Sequence, residues 1–314
     1  KFRDKMVEML TELVTNENLA WNKSLEKYPE KFIVTLSDDA INELLSNRTK
    51  LEDKNIENFC LLKKEILQAK KNILLQGCGV FIVAGKNFKL FSKEEQKLIH
   101  IIISKILGKL LIQSTQNDLF IEVKDIGRSL EEGGRYHQTK QGGSYHTDGY
   151  HMYEDTPNYV GLLCINPAKE GGASKFVSAY TIHNNLLKNN KELLKILYEK
   201  VYIDKREYKE GESKVRYDST FEYHDGKLFF KYQREYVDRG YKIINQEMSE
   251  QQKLALDELD KALQIEDNIL TYDFKAGDMM FSNNKWLIHD RTDFVDYDDP
   301  DLKRTLIRTW IREE

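Results

Sequence analysis

The sequence predicts an α+β protein, with a helix-rich first part packed outside a strand-rich core. Three observations carry this. The first hundred or so residues repeat apolar positions at helical spacing. From about residue 118, short β-branched and aromatic runs alternate with Gly, Asn and Asp turns. Only four prolines occur in 314 residues, and no Ser/Gly-rich linker parts the chain. A single domain over 1–314 is expected, with a helical extension over 1–75 packed on a core over 76–314 that carries inserted helices.

Taken in order, Phe2, Met6, Met9, Leu10, Leu13 and Val14 recur at helical spacing and predict a first helix. Residues 55–75, "NIENFCLLKKEILQAKKNILL", predict another that stops before Gly77, and "GVFIVAG" then reads as a strand. Ser92 and Glu95 form a capping-box pair ahead of a helix that carries His100 among isoleucines, where packing is the expected role. The runs "LFIEVKDI", "NYVGLLCIN", "SKFVSA", "KVYIDKRE", "KLFFKYQREY", "ILTYDF", "MMFSN", "WLIHD" and "RTLIRTWI" read as strands, with "HDG" at 224–226 as a hairpin turn. Helices are expected over roughly 181–199 and over "SEQQKLALDELDKALQ". In the latter, Ser249 and Gln252 form a capping box, and Ala255, Leu256, Leu259 and Leu263 share one face. Many short strands with wide loops suggest an antiparallel sandwich or barrel.

Composition narrows the function. Lys and Arg (48) nearly balance Asp and Glu (52), leaving a formal charge of −4, without the basic excess that phosphate backbones require. A small-molecule substrate is expected, and nucleic acid is not. Cys60, Cys78 and Cys164 are odd in number and widely spaced, which suits reduced thiols in a cytoplasm. No apolar run approaches the ~20 residues of a membrane span, and "KFRDKMVEMLTELVTNENLAW" has no signal-peptide core. A cytoplasmic location is expected.

The chemistry gathers around "SYHTDGYH" at 144–151. In an extended segment His146 and Asp148, two apart, reach the same side and can bind one divalent ion such as Fe(II), Mn(II) or Zn(II). The third ligand candidate is His289 in "FSNNKWLIHDRTDF". Two histidines and a carboxylate form the facial triad of non-haem iron oxygenases, with open positions for a chelating 2-oxoacid and dioxygen. A 2-oxoglutarate site also needs a cation for the far carboxylate. "KRTLIRTWI" supplies Arg304 and Arg308, on one face of a strand.

These residues carry a resemblance. "HTD" (146–148), "GGASKFVS" (171–178), "AGDMMFSNNKWLIHDRTDF" (276–294) and "KRTLIRTW" (303–310) resemble the motifs of the taurine dioxygenase and clavaminate synthase-like Fe(II)/2-oxoglutarate-dependent oxygenases. The resemblance runs from about Gly77 onward. It implies a distorted double-stranded β-helix (jelly-roll) core flanked by helices, with Fe(II) as cofactor and 2-oxoglutarate and dioxygen as co-substrates. It implies His146, Asp148 and His289 as iron ligands, Arg304 on the distal carboxylate of 2-oxoglutarate, Ser174 as a second contact to it, and Arg308 facing the cavity. The activity implied is hydroxylation of a C–H bond in a small, amino-acid-like metabolite, with succinate and carbon dioxide as co-products. Desaturation or cyclisation starts from the same attack. Asp148 stands where halogenating relatives carry a small residue, so halide chemistry is not expected.

Other polar residues are weighed beside these. Arg234, read as part of a "KYQRE" strand, is a candidate contact for a substrate carboxylate, with His151 and Tyr150 as further candidates. His151 lies at an odd offset from His146, which turns it away from the metal. Tyr145, Trp286, Arg128 and Arg135 are candidate pocket residues, and His137 sits in a Gly-bracketed loop suited to a lid. Arg291 is expected to brace its loop through Asp290 or Asp293. His183 and His224 are expected at the surface, and Cys164 as a small buried hydrophobe. Two other readings are a Zn(II) hydrolase on the same triad, with Glu154 as the nearest base, and a silent binding module.

Overall fold

The structure is a computed structural model, and it describes residues 8–125, 142–206, 208 and 210–314. Strands β1 (Ile33–Val34), β2 (Val80–Val83), β3 (Lys109–Leu110) and β4 (Phe120–Val123) are interleaved with helices α1 (Asp38–Ser46), α2 (Cys60–Ala69) and α3 (Lys93–Leu107). Next come β5 (Tyr159–Asn166), β6 (Glu170–Gly171), β7 (Ser174–Ser178), α4 (Ala179–Asn189) and α5 (Lys191–Ile196). Strands β8 (Lys200–Asp204), β9 (Val215–Ser219), β10 (Phe221–His224) and β11 (Lys227–Phe230) lead into α6 (Arg234–Ile243) and α7 (Glu250–Leu263). Then follow β12 (Ile269–Tyr272), β13 (Met279–Asn283), β14 (Leu287–Arg291), β15 (Phe294–Val295) and β16 (Thr305–Arg312).

The largest sheet runs β1-β2-β13-β5-β16-β3, with β4 also paired to β16. Only its β1–β2 pair is parallel. Alternation sorts its side chains into two faces. Phe81, Val83, Leu163, Met279, Phe281 and Ile307 pack outward against α1–α3, whose Leu44, Leu62, Ile66, Ile99 and Ile103 are fully buried. Each such side chain contributes about 1.5–3 kcal/mol by leaving water. Ile82, Met280 and Leu306 point the other way, toward a smaller sheet ordered β12-β7-β14. An isolated antiparallel bridge from His146 to His289 continues that smaller sheet beyond β14.

Local chemistry sets the element ends. Both capping boxes form: Glu95 N–H donates to Ser92 Oγ (3.3 Å) and Gln252 N–H to Ser249 Oγ (3.2 Å), each reciprocated at the cap. At the β10–β11 turn, Asp225 (φ 53°) and Gly226 (φ 72°) adopt the left-handed pair of a type I′ hairpin, as "HDG" predicts.

Three expectations need correction. Residues 9–14 form no helix: the segment is irregular, with Glu8 bridged to Tyr223. Other elements take its backbone groups, as when Val14 N–H donates to Asn184 Oδ1 (2.9 Å) and Asn184 Nδ2 donates to Val14 O (2.8 Å). Met9, Leu10 and Val14 pack on the core as separate contacts, and Leu13 is exposed. Phe2 and Met6 lie outside the described residues. The helix over 181–199 is two helices that meet at Asn190 (φ −146°). Finally, "REY" opens helix α6 rather than extending the β11 strand.

No helix among the described residues is long and apolar enough to cross a membrane.

Candidate active site

The space between the two sheets is walled by Leu162, Met280 and Leu306 on one side and Phe176 on the other. Into it project His146, Asp148, Ser174, His289, Arg304 and Arg308. Strand periodicity explains the arrangement. Arg304, Leu306 and Arg308 lie at alternate positions along one stretch and share a face. On the facing sheet His289 is paired with Phe176, and Arg291 with Ser174, so all four enter the cavity together.

His146 and His289 exchange both backbone hydrogen bonds at 3.0 Å, which sets their rings 4.3 Å apart. One ligand atom from each of His146, Asp148 and His289 lies within 4.8 Å of the others. The chemistry of this set fits a divalent cation. His146 Nδ1 is 2.7 Å from Ser144 O, which places the proton there and leaves Nε2 as a lone pair. Asp148 Oδ2 is buried and, among the described residues, accepts no hydrogen bond, with His289 Nε2 at 3.3 Å. Burial alone raises the Asp148 pKa, but the Arg308 guanidinium outweighs it and holds the carboxyl well below its usual range. His146 is pushed down to about 4, first by burial and then by His289, so the ring is neutral and able to ligate. His151 is not part of the cluster. It is buried against Tyr236 and Trp310, at ring distances of 4.9 and 6.3 Å.

Arg304 is 5% exposed and stacks on Phe294, 5.1 Å from the ring centre. Gly172 (φ +75°) makes room for it, since a Cβ there would come within 3.2 Å of Arg304 Nε. Arg308 is also buried. Its Nη1 donates to Asp148 Oδ1 (3.1 Å), its Nε donates to Gln113 Oε1 (2.8 Å), and it lies over Trp310.

Several roles come out differently from the sequence reading. Arg234 begins α6 and binds Asp238, Asp257 and Asp260, so it ties α6 to α7 outside the cavity lining. Tyr150 is fully buried against Tyr236 and is likewise absent from the lining. Trp286 packs on Tyr180; Tyr145 lies beneath Lys175 and, with Arg234, lines a second cavity beside Ser144, in keeping with a pocket-lining place for both. Asp290 and Asp293 accept backbone N–H groups of Gly143, Ser144 and Gly142, bracing the approach to His146, while Arg291 lies over Phe294 and lines the cavity. His183 is fully buried rather than at the surface, with Nε2 2.7 Å from Tyr198 Oη, because α4 turns that face into the core. His224 is exposed and Cys164 buried, as expected. Glu154 is exposed and outside the lining, which leaves the hydrolase reading without its base. Arg128, Arg135 and His137 lie outside the described residues.

Two residues escaped the sequence reading. Gln113 holds Arg308, accepting from its Nε and donating to its carbonyl oxygen (2.9 Å). Arg216 donates to the carbonyls of Tyr150, Tyr153 and Glu154 and pairs with Asp218, filling the turn after the "HTD" motif. Neither belongs to a local motif. Both act across distances in sequence that no spacing rule links.

Comparison with known proteins decides the family. The family model "Taurine catabolism dioxygenase TauD, TfdA family" matches residues 44–310. The chain belongs to the TauD/TfdA family. This TauD/TfdA-family protein is an Fe(II)/2-oxoglutarate-dependent oxygenase, an oxidoreductase that uses Fe(II), 2-oxoglutarate and dioxygen. It is 26% identical to FR-33289 synthase of Streptomyces rubellomurinus, over 98% of the chain and 93% of that protein. It is 23% identical to the taurine hydroxylase-like protein SAT17 of Stachybotrys chartarum, over 93% and 78% respectively. Its fold is similar to that of asparagine oxygenase, with a TM-score of 0.70, 14% identity, and coverage of 90% of this chain and 93% of that one. It is also similar to the non-haem iron oxygenase OrfP with Fe, succinate and (3S)-hydroxy-L-Arg, with a TM-score of 0.63, 12% identity, and coverage of 90% and 94%.

Proposed function

We propose that this oxygenase hydroxylates an unactivated C–H bond of a small, amino-acid-like metabolite, releasing succinate and carbon dioxide. The observation that carries the reading is the single cavity that unites a His146–Asp148–His289 ligand cluster with the buried guanidinium of Arg304. In this reading His146, Asp148 and His289 hold Fe(II), which when bound supplies dioxygen activation at the expense of 2-oxoglutarate. Arg304 takes the distal carboxylate of 2-oxoglutarate, and Ser174 donates its hydroxyl to the same group. Arg308 orients Asp148 through Oδ1 and leaves Oδ2 for the metal. Leu162, Phe176, Met280 and Leu306 exclude water from the reacting space.

The amino-acid-like substrate class is supported by the resemblance of the fold to an asparagine oxygenase and to a structure holding hydroxy-arginine. We read the two facing sheets as a distorted double-stranded β-helix, and the chain as one domain whose family match begins at residue 44, inside the helical extension. Three free cysteines suit a reducing cytoplasm. The test is anaerobic addition of Fe(II) and 2-oxoglutarate to the metal-free protein. A visible metal-to-ligand charge-transfer band is expected, and a folded, iron-loaded protein without the band refutes the site. A screen of amino acids and their derivatives for stimulated succinate release then identifies the substrate.

A further inference from the structure

The turn between β13 and β14 carries Asn284, five residues before His289 and 1% exposed. Its side-chain Oδ1 accepts from Asp148 N–H at 2.8 Å. Its Nδ2 donates to Asp148 O at 2.8 Å and to Pro157 O at 3.0 Å. One carboxamide therefore satisfies both backbone groups of Asp148 and the far end of the loop that follows. Its own N–H donates to Asn158 O (2.8 Å) and holds the turn against β5. The fit is specific to an amide. Only Asn offers an acceptor and two donors at this reach, whereas Asp turns a lone pair toward two carbonyls and Ser cannot span them. Beside it, Gly149 (φ +74°) allows Pro157 to close in, where a Cβ would lie 2.6 Å from Pro157 Cγ.

We propose that Asn284 is the positioning residue for the carboxylate ligand. It fixes the Asp148 backbone relative to His289 before metal arrives, and thereby sets metal affinity. One hairpin then supplies a ligand directly through His289 and holds a second through Asn284. The inference rests on the assignment of Asp148 and His289 as ligands. Loss of the amide leaves a buried N–H and C=O of Asp148 without their partner, and the carboxylate loses its fixed approach to the metal.

The test is anaerobic titration of the metal-free protein with Co(II), read by its d–d absorption, beside thermal unfolding of the same metal-free samples. Asn284→Ala is expected to weaken Co(II) binding about 10- to 100-fold, the usual effect of losing a group that supports a ligand. Asn283→Ala is the control: it removes the buried hydrogen bond to Leu74 O (3.0 Å) and the one Asn283 Oδ1 accepts from Lys285 N–H (3.2 Å), and it touches no ligand. It is expected to lower the melting temperature to a similar degree while keeping the wild-type Co(II) affinity and spectrum. Wild-type affinity in Asn284→Ala, or equal weakening in both variants, overturns the proposal. Where Asn284→Ala fails to fold, the isosteric Asn284→Asp carries the test, with weakened binding in support and wild-type binding against. A wild-type protein that binds no Co(II) removes the ligand assignment itself, a separate failure from that of Asn284.

Discussion

Arg308 Nη1 and Asp148 Oδ1 meet at 3.1 Å inside the cavity, with Gln113 Oε1 taking Arg308 Nε on the other side. The carboxylate proposed to hold the metal is thus paired with a fixed guanidinium before any metal enters. Lysine keeps the charge but cannot hold both partners at once. Arg308→Lys is expected to lower kcat/KM by about 10- to 100-fold, equivalent to one charge-assisted hydrogen bond. Succinate release under saturating Fe(II) measures it.

Arg304 stacks on Phe294 with room left by Gly172, so its guanidinium is oriented before the co-substrate binds. Arg304→Lys is expected to raise the KM for 2-oxoglutarate by about 10- to 100-fold through loss of one charge-assisted hydrogen bond. The charge-transfer band is expected to return at raised co-substrate concentration. A 2-oxoglutarate titration of that band reads the change.

Arg216 is expected to matter for stability as well as for the turn it fills. Arg216→Ala removes three donors from the 150–154 carbonyls and breaks the pair with Asp218. Stability is expected to fall by about 3 kcal/mol, in keeping with removal of one partner from a largely buried ion pair. Urea denaturation measures this. Faster amide exchange confined to residues 149–156 would locate it.

Two histidines away from the ligand cluster predict an acid-sensitive fold. Burial pushes His100 down to about 3 and His183 to about 4, so both are neutral in the folded protein. The unfolded chain protonates them near their ordinary value of 6.5. Unfolding therefore takes up protons between about pH 6.5 and 4 at His183 and between about pH 6.5 and 3 at His100, and stability is full above that window and lost as pH falls through it. Between pH 7.5 and 5 each costs about 2 kcal/mol. Urea midpoints of metal-free protein across this range test it, with His183→Gln expected to flatten the profile.

The sequence was most legible where one local rule governs one contact. Capping boxes at Ser92 and Ser249, the turn at Asp225–Gly226 and the alternate spacing of Arg304 and Arg308 each need only near neighbours. It was least legible where distant groups take over local ones. Met9, Leu10 and Val14 have helical spacing, yet the side chain of Asn184 claims the backbone at Val14. Arg234 follows a strand-like run, but three aspartates on α6 and α7 draw it into a helix start. His183 looked exposed because its burial depends on how α4 meets Tyr198 and Phe221.

The loop from Gly149 to Thr156 leaves and re-enters the fold at groups held by one side chain, Asn284. Its interior is tied down as well, by Arg216 at the carbonyls of Tyr150, Tyr153 and Glu154 and by Lys285 and Arg312 at Asp155. Tyr150, His151 and Tyr153, packed toward Tyr236 and Trp310, sit in that interior. The loop therefore works as a rivet: a change in its packing is passed through Asn284 to the backbone of Asp148.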